Sequence, residues 1–168
     1  YGITGYTNPS THEYGTTSQL SANEFVRPGY IFQGWSLTRD GSSGIITSAN
    51  NLTTDSSVVL YAQWKPINYT VAFNANGGTG TTANQSFTYG TAQNLRANGF
   101  SRTGYVFKGW NTAANGAGTS YADKVSVSNL TTTSGGTVTL YAIWESNDIS
   151  LNDQSKTLTF STTAQSFT

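Results

Sequence analysis

The heptapeptide Gly-Tyr-Ile-Phe-Gln-Gly-Trp at residues 29–35 recurs as Gly-Tyr-Val-Phe-Lys-Gly-Trp at residues 104–110, 75 positions later. A second motif, Leu-Tyr-Ala-x-Trp, stands at residues 60–64 and again at residues 140–144, 80 positions later. Recurrence at a nearly constant spacing is typical of tandem repeats. The larger second spacing places about five additional residues in loops of the second copy.

Apolar and polar residues alternate within both motifs, which predicts half-buried strands. Strict alternation puts Tyr30, Phe32 and Gly34 on one face of the first motif, and Ile31 and Trp35 on the other. No long stretch has a helical period, so the predicted fold class is all-β or β-rich α+β. The predicted core of the two copies consists of Tyr30, Phe32, Trp35, Leu60, Trp64, Tyr105, Phe107, Trp110, Leu140 and Trp144.

The composition favours strands and turns and argues against several functions. Charged residues make up 10% of the chain, with eight basic and eight acidic side chains, so no basic surface for nucleic acid or an anionic membrane is predicted. Thr (28), Ser (20), Asn (15) and Gly (18) replace charge, and these residues suit strands and tight turns. Cys and Met are both absent, which fits a protein exposed to oxidants outside the cell. No run approaches the ~20 apolar residues of a membrane helix, and with no signal peptide Tyr1 is expected to be a mature or artificial start.

A third element completes the pattern: an alternating strand that ends in Phe-Asn-Ala-Asn-Gly-Gly at residues 73–78. With it, the motifs resemble the Listeria–Bacteroides repeat, also called the B-repeat of the Listeria internalins. The closing motif of that family, Val-x-Leu-Tyr-Ala-x-Trp, is matched at residues 58–64 and 138–144. The resemblance implies small β-grasp-like sheets, strung in tandem in bacterial surface proteins, with no catalytic residues to carry over.

Three segments follow from the repeat. Residues 1–65 are predicted to form a first β-repeat whose opening strand is missing or altered, because residues 1–12 do not match the expected strand and glycine hairpin. Residues 66–145 are predicted to form a second, complete β-repeat. Residues 146–168 are predicted to be a C-terminal strand segment, either a donor strand or the beginning of a next module.

The inventory of chemically reactive groups is small. His12 is the single histidine, and no Gly-x-Ser-x-Gly turn marks a serine nucleophile that would use it. The pairs Asp40–Gly41 and Asp148–Asp153 lack the density of acidic residues that a calcium loop needs, so turn or solubility roles are favoured. We therefore predict no catalytic residues, no metal site and no cofactor, and expect that the protein is not an enzyme.

Aromatic side chains leave one alternative open. The four tryptophans recur at matched repeat positions, which core packing demands, but exposed aromatics also form sugar-stacking platforms. Tyr1, Tyr6 and Tyr14 are the one cluster of aromatics that does not recur as a set. An adhesin or glycan-binding module, with a surface glycan or host protein as its partner, is therefore the second hypothesis.

The C-terminal segment contains a surplus strand. Thr-Leu-Thr-Phe at residues 157–160 resembles residues 70–73 of the opening strand, and residues 164–168 resemble residues 83–88. An unpaired alternating strand is a template for pairing with another chain. The predicted subunit contacts are Ile149, Leu151, Leu158, Phe160 and Phe167.

The start of the chain allows two alignments. In the second repeat, the stretch that residues 164–168 resemble is followed by Tyr89-Gly90, and this chain begins with Tyr1-Gly2. The end of one chain therefore resembles the segment that would precede the start of another. Tyr14-Gly15 matches the same dipeptide, which gives the second alignment. The tail is accordingly predicted to add strands to the first repeat of a neighbour, to fold back on its own first repeat, or to open a next domain.

These features together predict a secreted structural repeat of a cell-surface protein or extracellular filament. Its expected partners are other copies of itself or neighbouring modules of the same chain, with no nucleic acid and no membrane insertion.

Overall fold

A computed structural model describes residues 2–13, 19–47 and 57–147. These residues form strands and turns and contain no helix, which confirms the all-β prediction for the described part of the chain. The β-grasp likeness stays a prediction. The strands are β1 (Tyr30–Ser36), β2 (Tyr61–Pro66), β3 (Asn68–Asn74), β4 (Thr79–Gly80), β5 (Gln85–Thr88), β6 (Gln93–Asn94), β7 (Phe100–Ser101), β8 (Tyr105–Asn111), β9 (Ser120–Tyr121), β10 (Ser126–Val127) and β11 (Thr137–Ser146).

The second repeat is built on a five-stranded sheet with the order β5-β3-β11-β8-β9. Its central strand β11 pairs in parallel with β3, placing Leu140 opposite Phe73, and antiparallel with β8. Leu140 and Ala142 of β11 are fully buried, as the alternation predicts. The buried cluster on this sheet consists of Tyr69, Val71, Phe87, Leu95, Trp110, Val127, Leu140 and Ala142.

In the first repeat, β1 and β2 form an antiparallel pair, which corresponds to β8 and the end of β11. Residues 57–60 precede β2 and belong to no strand, although the equivalent residues 137–140 begin β11 and pair with β3. Among the described residues, nothing pairs with this part of the first repeat as β3 does in the second.

The heptapeptide strand does not alternate strictly. A β-bulge lies between Phe32 and Gly34, and an irregularity at the same place shifts the pairing of β8 with β11. The extra residue brings Phe32 and Trp35 to the same face, with ring centroids 5.1 Å apart, so their predicted placement on opposite faces is wrong. Gly34 has a φ of 137°, and a Cβ there would lie 2.5 Å from Ile45, which explains the glycine.

Trp110 occupies the centre of the second core. Its ring centroid lies 4.8 Å from that of Phe73, 6.1 Å from that of Phe100 and 4.9 Å from that of Phe107. The side chain is 1% exposed, so its packing joins β3, β7 and β8 in one cluster.

The first residues of the chain have a structural counterpart in the second repeat. Thr4 pairs with Val26 as Thr79 of β4 pairs with Ser101 of β7, and Glu24 and Gly99 each donate a backbone hydrogen bond of 2.9 Å to an equivalent threonine hydroxyl. In this register Gly2 and Gly5 correspond to Gly77 and Gly80, and all four have positive φ. Residues 2–7 therefore match the end of the glycine hairpin. The alignment of Tyr1-Gly2 with Tyr89-Gly90 is wrong, and Tyr14-Gly15 is the matching dipeptide.

We expect Trp110→Ala to lower the free energy of unfolding of the second repeat by about 3–5 kcal/mol, because it removes the largest buried ring and leaves a cavity. Tyr6→Ala is the control, since Tyr6 is 63% exposed and its loss should cost no more than about 0.5 kcal/mol. Denaturant unfolding of both variants measures the difference. A loss below about 1 kcal/mol for Trp110→Ala would contradict this account of the core.

Asp40 forms a local turn whose counterpart is Asn115. The Asp40 carboxylate accepts a hydrogen bond of 3.0 Å from the Ser42 amide, and Asn115 accepts one of 3.1 Å from the Ala117 amide. The Ser42 backbone amide, followed by the hydroxyls of Ser42 and Thr38, lowers the pKa of Asp40. Asp40 therefore has a turn role, as the sequence predicts.

A group whose pKa is lowered on folding contributes stability above its unfolded pKa, about 3.9 for Asp, and loses it as the pH falls through the folded value. We therefore expect Asp40→Asn, which keeps the acceptor as Asn115 does, to lose less stability than the parent chain between pH 5 and pH 2.5. At pH 7 the two chains should have similar melting temperatures. Thermal melts across this range test the prediction, and equal acid losses in both chains would refute it.

Candidate assembly surfaces

Reactive side chains do not converge in the described residues. No group of three or more His, Cys, Asp or Glu side chains is placed there to hold a metal ion. The Nε2 atom of His12 lies 2.7 Å from the Ser10 hydroxyl, and Lys108 and Glu145 form an exposed ion pair at 2.7 Å. Asp148 and Asp153 lie outside the described residues.

The residues of the predicted core lie at different depths. Trp35, Trp110 and Leu140 are buried, and Phe32, Leu60, Trp64, Phe107 and Trp144 are half-buried. The four aromatic side chains in this second group pack against aromatic rings of their own repeats. Tyr30 is also half-buried, but it packs against the second repeat. Tyr105 was predicted to be core and is 37% exposed, because no described residue covers it as Tyr89 covers Tyr30.

Two aromatic residues form a joint between the repeats. The rings of Tyr30 and Tyr89 meet edge to face with centroids 5.6 Å apart, and the guanidinium carbon of Arg27 lies 3.8 Å from the centroid of the Tyr30 ring. A Cβ on Gly29 would lie 2.4 Å from the Tyr89 ring, so only glycine allows this approach. The Tyr89 ring therefore sits directly on the backbone at Gly29.

The connection between the repeats belongs to the same joint. Ile67, between β2 and β3, is 2% exposed. Its amide donates a hydrogen bond of 3.0 Å to the Gly29 carbonyl, and its carbonyl accepts one of 2.9 Å from the Tyr89 amide. The linker is thus bound to both repeats by its backbone as well as by its side chain.

Sequence reasoning did not find this joint. Gly29 and Tyr89 both belong to recurring motifs, and recurrence alone does not distinguish packing within a repeat from contact between repeats. The available signal was Ile67, an isolated apolar residue between Pro66 and Asn68 at the boundary of the two copies.

A second surface lies where β3 meets β11. The Trp144 indole N–H donates a hydrogen bond of 2.9 Å to the Ala75 carbonyl in the hairpin after β3. The side-chain Nδ2 of Asn76 in the same hairpin donates one of 3.0 Å to the Ala142 carbonyl. The opening strand and its hairpin are therefore fastened to the closing strand of their own repeat.

The first repeat lacks this fastening in the described residues. Trp64 corresponds to Trp144 and contacts Phe32 at 5.6 Å, as Trp144 contacts Phe107 at 5.6 Å. The indole nitrogens of Trp64 and of Trp110 are both buried without a hydrogen-bond partner among the described residues, but only that of Trp64 has a counterpart, Trp144, that is hydrogen-bonded. In the segment that leads into β2, Val58 and Val59 are 42% and 68% exposed. We call Val58, Val59 and Trp64 the acceptor edge.

The predicted subunit-contact residues Ile149, Leu151, Leu158, Phe160 and Phe167 lie outside the described residues. Of the predicted exposed cluster, Tyr6 is described and is 63% exposed, whereas Tyr1 and Tyr14 are not described.

Two similarly built β-units, joined through a buried linker, define an all-β tandem-repeat protein. The Listeria-Bacteroides repeat domain matches the chain twice, over residues 1–63 and 69–143. The chain belongs to this family, and the resemblance seen in the sequence is confirmed. It is a structural repeat domain of the kind found in bacterial surface proteins.

Two proteins of Evansella cellulosilytica are similar to this chain. One, named "Putative Gly-rich membrane protein", is 31% identical over 136 residues, which cover 77% of this chain and 14% of that protein. The other, named "Putative membrane protein", is 30% identical over 147 residues, which cover 84% of this chain and 21% of that protein. The chain therefore spans about a fifth or less of each relative. No solved structure matches it, and the described residues include no helix that is long and apolar enough to cross a membrane.

Gly29→Ala and Gly104→Ala form a matched pair that tests the joint. Their φ values are 78° and 76°, so both substitutions carry a similar backbone strain of about 1–2 kcal/mol. Only Gly29→Ala also displaces the Tyr89 ring, so we expect it to destabilise the chain by a further 1 kcal/mol or so, since an aromatic pair contributes about 0.5–1.5 kcal/mol.

Chemical denaturation at low protein concentration measures both variants, and the same two substitutions are then made in Tyr89→Ala. In the Tyr89→Ala background, the additional loss of stability caused by Gly29→Ala should disappear. Equal losses at the two glycines in the parent chain would show that the joint does not couple the repeats.

Proposed function

We propose that this chain is an extracellular structural segment of a bacterial surface protein or fibre, whose subunits join head to tail by β-strand addition. The observation that carries the proposal is the acceptor edge, where the buried Trp64 N–H has no partner among the described residues, although the equivalent Trp144 N–H is hydrogen-bonded. The proposal assigns no catalytic chemistry, cofactor or nucleic acid to the chain. The absence of Cys and Met and the family's occurrence in surface proteins support an exported location.

The unpaired Trp64 N–H at the acceptor edge lowers the stability of the first repeat. A buried donor without a partner costs about 1–3 kcal/mol. The second repeat shows the partner that satisfies it, because the Ala75 carbonyl after β3 accepts the Trp144 N–H. A strand placed beside residues 57–60 would also cover Val58 and Val59. Its main chain would form hydrogen bonds with the backbone of residues 57–60, and such bonds supply the affinity in strand addition.

The tail has the composition of such a strand. Counted from Asn147, which corresponds to Ile67, the residues Ile149 and Leu151 fall at the positions of Tyr69 and Val71, both buried in β3. Residues 157–160 offer a second candidate by their likeness to residues 70–73. Both stretches have alternate apolar side chains, which set the register of an added strand.

The position of His12 agrees with an incoming strand. In the register set by the glycines, His12 corresponds to Phe87, whose ring stacks on Tyr69 of β3 at 5.4 Å. A donor strand would therefore cover the His12 side of the first repeat as β3 covers Phe87.

Binding of a surface glycan or host protein is the second candidate function. It is favoured by a patch around the Thr4–Val26 bridge, where Ile3, Tyr6 and Val26 are 52%, 63% and 58% exposed. Exposed aromatic and aliphatic side chains grouped on a surface suit sugar stacking or protein contact. Binding on a glycan array that disappears in Tyr6→Ala would favour this function.

Deletion of residues 149–168 tests strand addition. We expect the deletion to abolish concentration-dependent assembly, observed by sedimentation and electron microscopy, and to leave a folded monomer. Trp64→Phe should weaken assembly, because the ring remains but the N–H that an added strand would satisfy is gone.

Trp144→Phe is the matched control. The N–H of Trp144 is already bound within its own repeat, so the substitution should lower the stability of the monomer and leave assembly intact. Unchanged assembly after the deletion, or a tail found on the first repeat of its own chain, would rule out exchange between subunits.

A further inference from the structure

The far end of the second repeat reproduces half of the joint found between the repeats. The Arg102 guanidinium carbon lies 3.8 Å from the centroid of the Tyr105 ring, the same distance as between Arg27 and Tyr30. The Tyr105 amide donates a hydrogen bond of 3.1 Å to the Arg102 carbonyl, as the Tyr30 amide does to the Arg27 carbonyl. The turn, the cation and the aromatic ring are therefore built identically at both places.

The exit of the chain is equivalent as well. The Asn147 amide donates a hydrogen bond of 2.8 Å to the Gly104 carbonyl, and the Ile67 amide donates one of 3.0 Å to the Gly29 carbonyl. Asn147 therefore makes the same backbone hydrogen bond to the second repeat that Ile67 makes to the first.

What differs is the ring that covers the glycine. Gly29 is buried under Tyr89, whereas a Cβ on Gly104 would meet no heavy atom within 4 Å among the described residues. Tyr105 and Val106 beside it are 37% and 49% exposed. We call Arg102, Gly104, Tyr105 and Asn147 the docking site, and its uncovered glycine has room for an aromatic ring.

We propose that the docking site receives the first repeat of a second copy of this chain, and that the contact between subunits is the same joint that connects the two repeats of one chain. The inference rests on the proposed head-to-tail assembly. In the sequence, Tyr14-Gly15 stands 75 positions before Tyr89-Gly90, so the first repeat carries the dipeptide that the joint uses. The tail after Asn147 would complete the first repeat of a neighbouring subunit. The Tyr14-Gly15 dipeptide of that neighbour would then lie against Gly104, as Tyr89 lies against Gly29 within one chain.

One difference in sequence between the two repeats makes the docking site weaker than the internal joint. Asn147 is exposed and stands where Ile67 is 2% exposed, so docking would bury an amide in place of an alkyl side chain. One ring pair and one linker residue also form a contact much smaller than the ~1,200 Å² of a stable interface. The docking site would therefore set the orientation between subunits, and the added strand would supply most of the affinity.

Sedimentation velocity of the full 168-residue chain over a wide concentration range tests the proposal. We expect Tyr105→Ala to raise the dissociation constant about tenfold, which corresponds to about 1.4 kcal/mol for a lost aromatic contact. Gly104→Ala should weaken association as well, because its Cβ would meet the incoming ring. Asn147→Ile should strengthen association several-fold, since it makes the docking site resemble the internal joint.

Tyr30→Ala is the matched control, because it removes the equivalent ring from the internal joint and leaves the docking site intact. It should lower the melting temperature of the monomer more than it changes association. Equal effects of Tyr30→Ala and Tyr105→Ala on association, or no effect of Asn147→Ile, would overturn the proposal.

Deletion of residues 149–168 separates this inference from strand addition. Assembly that is lost on deletion but indifferent to Tyr105→Ala, Gly104→Ala and Asn147→Ile would support strand addition and overturn docking. Assembly that survives the deletion but responds to the three substitutions would support docking and overturn strand addition. A chain that is monomeric at every concentration would overturn docking by a second copy and assign the site to a following repeat of the same polypeptide.

Discussion

The β-bulge in the heptapeptide strand is the constraint on which each repeat depends. In β8 it lets Phe107 and Trp110 point to the same side of the strand, with their rings 4.9 Å apart. Gly109 makes the bulge possible, since its φ is 139° and a Cβ would lie 2.7 Å from the Tyr121 carbonyl oxygen. Without the bulge, one of the two rings would face away from the core, and a chain with few large aliphatic residues has no other group of that size to replace it.

The aromatic cluster organises the sheet by contact with strands that are distant in sequence. Trp110 packs against Phe73 of β3 and Phe100 of β7, so a single side chain connects the opening strand, a short edge strand and the heptapeptide strand. The parallel pairing of β3 with β11 brings together the two ends of the repeat. Such a sheet is complete only when its opening strand is present, and no described strand pairs with residues 57–60 of the first repeat as β3 pairs with residues 137–140 of the second.

Tandem repeats of this kind have a second requirement, which is a contact between each repeat and its neighbour along the chain. The internal joint meets it with a tyrosine ring on a glycine and a buried linker isoleucine. Gly29 and Tyr89 belong to recurring motifs, whereas Ile67 does not recur, because Asn147 stands at the equivalent position. The joint therefore combines groups that the repeat supplies twice with one linker residue that it supplies once.

The sequence by itself determined the class of the protein. The recurrence of residues 29–35 at 104–110, the alternation of apolar residues and the excess of Thr, Gly and Asn sufficed to predict two all-β repeats, their family and the burial of Trp35 and Trp110. These properties depend on local pattern, because side-chain period and turn chemistry act within a few residues. The tertiary structure decided what depends on contacts between distant residues: the bulge that reverses the predicted faces, the exposure of Tyr105, the matching of residues 2–7 with the second hairpin, and the Tyr30–Tyr89 joint. Two copies of one motif have the same sequence pattern whether or not a neighbour covers them. Only the folded chain shows that a ring covers Gly29 and that no described residue covers Gly104.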